Sequence, residues 1–151
     1  MSHPDVLVVG AGPAGVVAAL AAKRTGVDVT LVEQDGEMYV DGGTFRLKLQ
    51  PEKAQVVRAK AGQQVIFGVR PEDIFDREFA APGIRAEPMT AAVDVTELMG
   101  NEIFVYLLTG QKQFIARVDP RTKARVGTEM DVAINMDNTH IFDRDTEEAI
   151  R

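Results

Sequence analysis

The sequence changes texture near residue 34, and that change constrains the fold more than any other feature of the chain. Beyond it, short stretches of alternating apolar and polar residues are separated by Gly, Asp and Pro, which is the pattern of antiparallel β-structure. Phe45, Leu47 and Leu49 alternate with Arg46 and Lys48. Together with Glu37 to Asp41 they flank Gly42-Gly43 and read as a hairpin with one wet face. Further strands are expected at Gln64 to Val69, Ala91 to Glu97, Glu102 to Leu108, Gln113 to Val118 and Asp131 to Asn135. Met99-Gly100-Asn101, Thr109-Gly110 and Val126-Gly127 supply turns between them. One short helix is expected, opened by Pro51, with Val56 and Val57 inside and Gly62 beyond its end. The stretch Asp76 to Pro88 follows neither period and reads as a loop. This is the signature of a small, mainly β barrel or sandwich.

Residues 5 to 33 read differently. Val6 to Val9 form an apolar strand, Pro13 to Thr25 an Ala-rich helix stopped by Gly26, and Val27 to Glu33 a second strand, a βαβ pattern. Gly10-Ala11-Gly12-Pro13-Ala14-Gly15 is G-x-G-x-x-G placed after a strand and opening a helix. Gly10 makes the tight turn, Gly12 lets a pyrophosphate approach the backbone, and Gly15 lets helix and strand pack closely. Glu33 stands 18 residues after Gly15, where an acid accepts ribose hydroxyls. This segment resembles the opening of FAD-dependent oxidoreductases. The resemblance implies that Gly10, Gly12, Gly15 and Glu33 hold the ADP half of FAD. A single βαβ unit cannot bury both faces of a parallel sheet, so the fragment needs a partner.

Composition excludes several functions. With no cysteine and only His3 and His140, the chain has no thiolate chemistry and no Cys/His zinc site, and no metal is expected. Acidic residues outnumber basic ones, 23 to 17, and there is no Trp, which argues against nucleic acid as a partner. The longest apolar run, Val6 to Ala22, has 17 residues, short of the roughly 20 that span a bilayer, and glycines interrupt it. No Lys or Arg precedes it, unlike a signal peptide. Neither membrane insertion nor export is expected, and the chain reads as cytoplasmic. Two histidines at opposite ends support no catalytic constellation, so the chain is not read as an enzyme.

The later motifs are Val69-Arg70-Pro71-Glu72-Asp73-Ile74, Glu97-Leu98-Met99-Gly100-Asn101-Glu102 and His140-Ile141-Phe142-Asp143. In this order they resemble the TOBE-type regulatory domain that follows the ATPase module in sugar-importing ABC transporters of the maltose and glycerol-phosphate class. The resemblance covers about residues 35 to 148. It implies an OB-type barrel that helps the nucleotide-binding module dimerise and receives regulators, with Arg70, Glu72, Asp73 and Glu97 as partner-binding residues. Read from the residues alone, Arg70 with Glu72 or Asp73 is a local ion pair, Glu97 a turn-entry residue and His140 a packed histidine. ATP hydrolysis needs G-x-x-x-x-G-K-[ST], and no Gly-Lys pair occurs in the chain.

The expected organisation is therefore a strand–helix Rossmann-like fragment over 1–33 followed by an OB-like (TOBE) barrel with one short helix over 35–151. Strand Val27 to Glu33 can serve either half, and the β half, which can close its own core, is expected to take it. Val6 to Val9 is then added to a sheet edge or paired across a dimer, and the apolar helix packs on the barrel or on a second chain, so a homo-oligomer is expected. Function reads as non-catalytic regulation or interaction, with an ABC ATPase module or a regulatory protein as partner and no cofactor. The alternatives are an FAD- or NAD-binding oxidoreductase module and a fusion remnant or chimera without selected function.

Overall fold

The computed structural model describes residues 5–7 and 27–151, and eleven strands, one α-helix and four 3-10 turns account for most of them. The five-stranded sheet contains β2 (Val27–Gln34), β3 (Glu37–Asp41), β4 (Arg46–Lys48), β5 (Gln64–Gly68) and β11 (His140–Asp143), in the order β11-β5-β2-β3-β4. The six-stranded sheet contains β1 (Asp5–Leu7), β6 (Ile74–Asp76), β7 (Ala86–Met99), β8 (Glu102–Thr109), β9 (Lys112–Val118) and β10 (Glu129–Asn135), in the order β1-β9-β8-β7-β10-β6. Edge strand β6 packs back against β9, so this sheet curls into a half-barrel.

The core follows from alternation. On β2, Val27, Val29 and Leu31 are buried while Asp28, Thr30 and Val32 are half-exposed, and β8, β9 and β10 repeat the pattern with Val105, Leu107, Phe114, Ala116, Val132 and Ile134. Period-two spacing puts each apolar set on one face, and the two faces meet in one cluster. Phe45, from the turn between β3 and β4, meets Phe114 of β9 edge-on at 5.3 Å between ring centroids. A side chain at Gly42 would put its Cβ 2.2 Å from the Phe45 ring, so only glycine lets the chain turn over that ring.

Helix α1 (Pro51–Val57) starts at Pro51, as expected, but buries Ala54 and Val57, one turn apart, and leaves Val56 43% exposed. The expected burial of Val56 is therefore corrected: helical spacing turns it away from the sheet. The expected loop Asp76 to Pro88 is also shorter than the sequence suggested. It includes the end of β6, a 3-10 turn at Arg77–Phe79 and the start of β7. Pro88 is tolerated inside β7 because this stretch pairs with β10 alone, while β8 joins only from Ala92 onward.

Strand β2 pairs antiparallel with both β3 and β5, so it serves the β half, as expected. Strand β1 lies parallel to β9 at the sheet edge, with Leu7 opposite Phe114, which matches the expected addition of an N-terminal strand to an edge. The glycine turn and the helix expected over Pro13 to Thr25 lie outside the described residues.

Candidate functional site

The site grows out of a β-bulge. Val93 pairs with Leu107 and Val95 with Tyr106, so Asp94 is an extra residue in β7. Beyond it the β7–β8 hairpin runs out from the barrel to a tip at Gly100, whose φ of +66° favours glycine. Residues directly opposite in an antiparallel ladder share a face. The inward face of β8 and β9 carries Ile103, Val105, Leu107, Phe114, Ala116 and Val118. The outward face therefore holds the rows Val95–Tyr106–Ile115 and Glu97–Phe104–Arg117.

An outer sheet face in water is ordinarily polar. Here Phe104, Tyr106, Leu108 and Ile115 stand half-buried on it, and the tip adds Val95 at 40% and Met99 at 56% exposure, while Leu98, opposite Ile103, is 73% exposed on the other face of the hairpin. Charges ring this apolar area. The Tyr106 hydroxyl donates to Glu97 at 3.2 Å, and desolvation together with the Glu97 charge raises its pKa. Arg117 lies 3.6 Å from Glu72 and 3.7 Å from Glu102. Such exposed pairs contribute under about 1 kcal/mol each, so they set orientation more than stability.

The structure thus brings Glu72 and Glu97 to one face and sends Arg70 and Asp73 elsewhere. Pro71 opens a 3-10 turn, Pro71–Asp73, that splits the motif. Asp73, 5% exposed, accepts hydrogen bonds from the side-chain amides of Asn138 at 2.8 Å and Asn135 at 3.2 Å. Its second oxygen and Arg70 Nε are buried without a hydrogen-bond partner among the described residues. The expected ion pair of Arg70 with Glu72 or Asp73 does not form, because the turn directs the acids toward β9 and toward the two Asn residues instead.

Gly10, Gly12 and Gly15 lie outside the described residues. Glu33 lies opposite Met38 in the antiparallel pair β2–β3, and its carboxylate is 3.7 Å from Arg58. His140 is half-buried with its ring 6.3 Å from that of Phe142, the packed arrangement expected. No group of three His, Cys, Asp or Glu able to hold a metal occurs among the described residues. No helix among them is long and apolar enough to cross a membrane. Sequence reasoning missed Phe104 and Arg117, although the alternation over Ile103 to Leu108, apolar on both faces, carried the signal. For Asn135 and Asn138 no sequence signal existed.

The pattern of the family described as Pyridine nucleotide-disulphide oxidoreductase matches residues 4–142. The chain belongs to that family. Most of the matched stretch is nonetheless antiparallel β-structure, not the parallel sheet that supports a dinucleotide turn. A second likeness agrees with this fold. The chain is 39% identical over 123 residues to the "Trehalose/maltose import ATP-binding protein MalK" of Thermococcus litoralis, which covers 80% of the chain and 32% of that protein. It is 39% identical over 111 residues to the "Oligosaccharides import ATP-binding protein MsmX" of Bacillus subtilis, covering 72% of the chain and 30% of that protein. The chain is thus homologous to ATP-binding subunits of sugar ABC importers and spans about a third of their length. Among solved structures, the cytoplasmic molybdate-binding protein ModG superposes with a TM-score of 0.53 at 21% identity, covering 77% of this chain and 91% of that one, a likeness of fold.

Proposed function

We propose that the chain is a non-catalytic regulatory and interaction domain that acts in the cytoplasm beside the ATP-hydrolysing module of a carbohydrate ABC importer. The observation that carries this reading is its 39% identity, over 80% of its own length, to a sugar importer's ATP-binding subunit. The chain itself contains no Gly-Lys pair with which to bind ATP phosphates. Mixing the purified chain with the ATP-binding subunit of such an importer tests the reading. The expected result is a complex with an altered ATPase rate and no hydrolysis by the chain alone; absence of a complex at high micromolar concentration sinks it.

The same reading includes self-association through the outer face of β7–β9. The row Glu97–Phe104–Arg117 has an acid at one end, a ring in the middle and a cation at the other. A two-fold axis along β8 would set each Glu97 against the second copy's Arg117, with the two Phe104 rings at the centre.

A dinucleotide-binding module is the second reading, favoured by the family match over residues 4–142 and by Gly10, Gly12 and Gly15. The described residues do not fit FAD: Glu33 is held by Arg58 within an antiparallel strand pair. Titration with FAD, repeated on Gly12→Val, decides it. Saturable binding lost in the variant would favour this reading over the first.

A further inference from the structure

A cleft of about 380 Å³, lined by none of the residues of the β7–β8 hairpin, opens between α1, the turn at 136–139 and the C-terminal segment. We propose that this cleft binds a small organic anion with an apolar body, such as a branched or aromatic monocarboxylate.

Its apolar wall consists of Val56, Val57, Ile141 and Ile150. Ile150 is held there by its backbone N–H, which donates to the Ile141 carbonyl at 2.8 Å. The volume suits a small ligand, and sites of this size combine an apolar wall with a few converging polar groups. The polar side is His140 and Arg151, neither of whose side chains has a hydrogen-bond partner among the described residues.

The other polar groups at the cleft are engaged. Glu52 and Asp137 both bind Arg85, and the Lys53 ammonium donates to the backbone oxygens of Met136, Asp137 and Thr139. Around His140 stand Lys53 on α1, Arg70 and Asp73 between β5 and β6, and Arg151, and around Lys53 stand Glu52 on α1, Asp137 on the turn and Arg85 ahead of β7. Cations outnumber acids in that set; Glu52 and Asp137 are engaged with Arg85, while Asp73 keeps one carboxylate oxygen without a hydrogen-bond partner among the described residues. Arg70 Nε and Asp73 Oδ2 both lie buried without a hydrogen-bond partner among these residues, so a donor and an acceptor of opposite charge stand unpaired behind the cleft. Desolvation first, then Arg70 and Lys53, with Asp73 opposing, hold the imidazole below its usual range, and an arriving carboxylate meets the unpaired side chains of His140 and Arg151. A sugar is a poor match, because the wall presents no aromatic ring for it to stack on.

NMR titration of the full chain with phenylacetate, its neutral amide and inorganic sulfate tests the proposal. Phenylacetate is expected to shift the Val56, Ile141 and Ile150 methyls saturably and to raise the His140 pKa. The amide and sulfate should each bind at least about fivefold more weakly. Val56→Glu, at an exposed helix position, should weaken phenylacetate about tenfold with an otherwise unchanged spectrum. Equal binding of acid and amide would overturn the anionic part, and sulfate binding as well as phenylacetate would overturn the apolar part. No saturable shift by about 20 mM would overturn the site. None of these outcomes depends on the importer reading, since no ATPase module is present.

Discussion

The ammonium of Lys53 lies 2.5 Å from the backbone oxygen of Thr139 and ties helix α1 to the turn that feeds β11. The same nitrogen reaches the Met136 and Asp137 carbonyls at 3.0 Å each. A Met side chain would fill the space and leave these acceptors without their donor. Hydrogen bonds to charged groups contribute about 1.5–3 kcal/mol, so Lys53→Met is expected to lower stability by about 2–4 kcal/mol in urea unfolding. Burial depresses the Lys53 pKa below 10.5. The unfolded chain therefore holds this proton more tightly, and wild-type stability gains from this group as pH rises through the depressed value toward 10.5. Lys53→Met should lack that rise, and a variant as stable as the parent would show that the clamp contributes nothing.

Asp143 predicts an acid response at the C-terminal turn. Backbone N–H groups of Thr146 and Asp145, with Lys60 between them in strength, pull its carboxyl from 3.8 down to about 2. A depressed carboxyl stabilises the fold above its unfolded pKa, and that contribution disappears as pH falls from about 3.8 toward 2. Amide exchange of Ile150, bonded to Ile141, should accelerate across that window, and Asp143→Asn should exchange fast at every pH. Identical profiles for the two proteins would show that Asp143 does not hold the turn.

Gly42 and Phe45 form a steric pair. A methyl group at Gly42 collides with the Phe45 ring, which in turn packs on Phe114. Gly42→Ala is expected to cost about 1–3 kcal/mol as overpacking. Phe45→Leu alone should also destabilise, but the double variant should be less unstable than the sum, since the smaller side chain clears the methyl. Strict additivity in thermal or urea unfolding would show that the collision is relieved elsewhere.

These pairs mark how far the sequence could be read. The hairpin around Gly42-Gly43, the strands of β8 and β9 and the transfer of β2 to the β half were legible, because period-two alternation and glycine turns are local signals. The three-residue β6 and four-residue β11 were not legible, since their pairing depends on β10 and β5, distant in sequence. Pro88 masked the start of β7, although its one-sided pairing there needs no N–H. At the site, Glu72 and Glu97 were singled out, but Arg117, which ties Glu72 to the face, came from Gln113 to Val118, read as a strand with no site residue on it. The division of Arg70 from its acids was hidden in the turn geometry that Pro71 imposes.

The outer face yields the charge-swap prediction for self-association. If two copies pair with Glu97 of each against Arg117 of the other, Glu97→Arg sets like charges opposite at both symmetric positions. A surface pair contributes up to about 1 kcal/mol, so two pairs amount to roughly a tenfold weaker dimer. Arg117→Glu should weaken association similarly, and also places an acid beside Glu72 and Glu102. The double variant restores opposite charges across the axis and should recover most of the loss, which neither single change can do if the two sites do not meet. Phe104→Asp removes the central ring contact and should weaken association more than either charge change, with little cost to a side chain that stands on the outer face. Sedimentation equilibrium on the four variants distinguishes the cases. Singles that weaken and a double that recovers place Glu97 against Arg117, whereas a double no better than the singles would remove this face as the self-association surface.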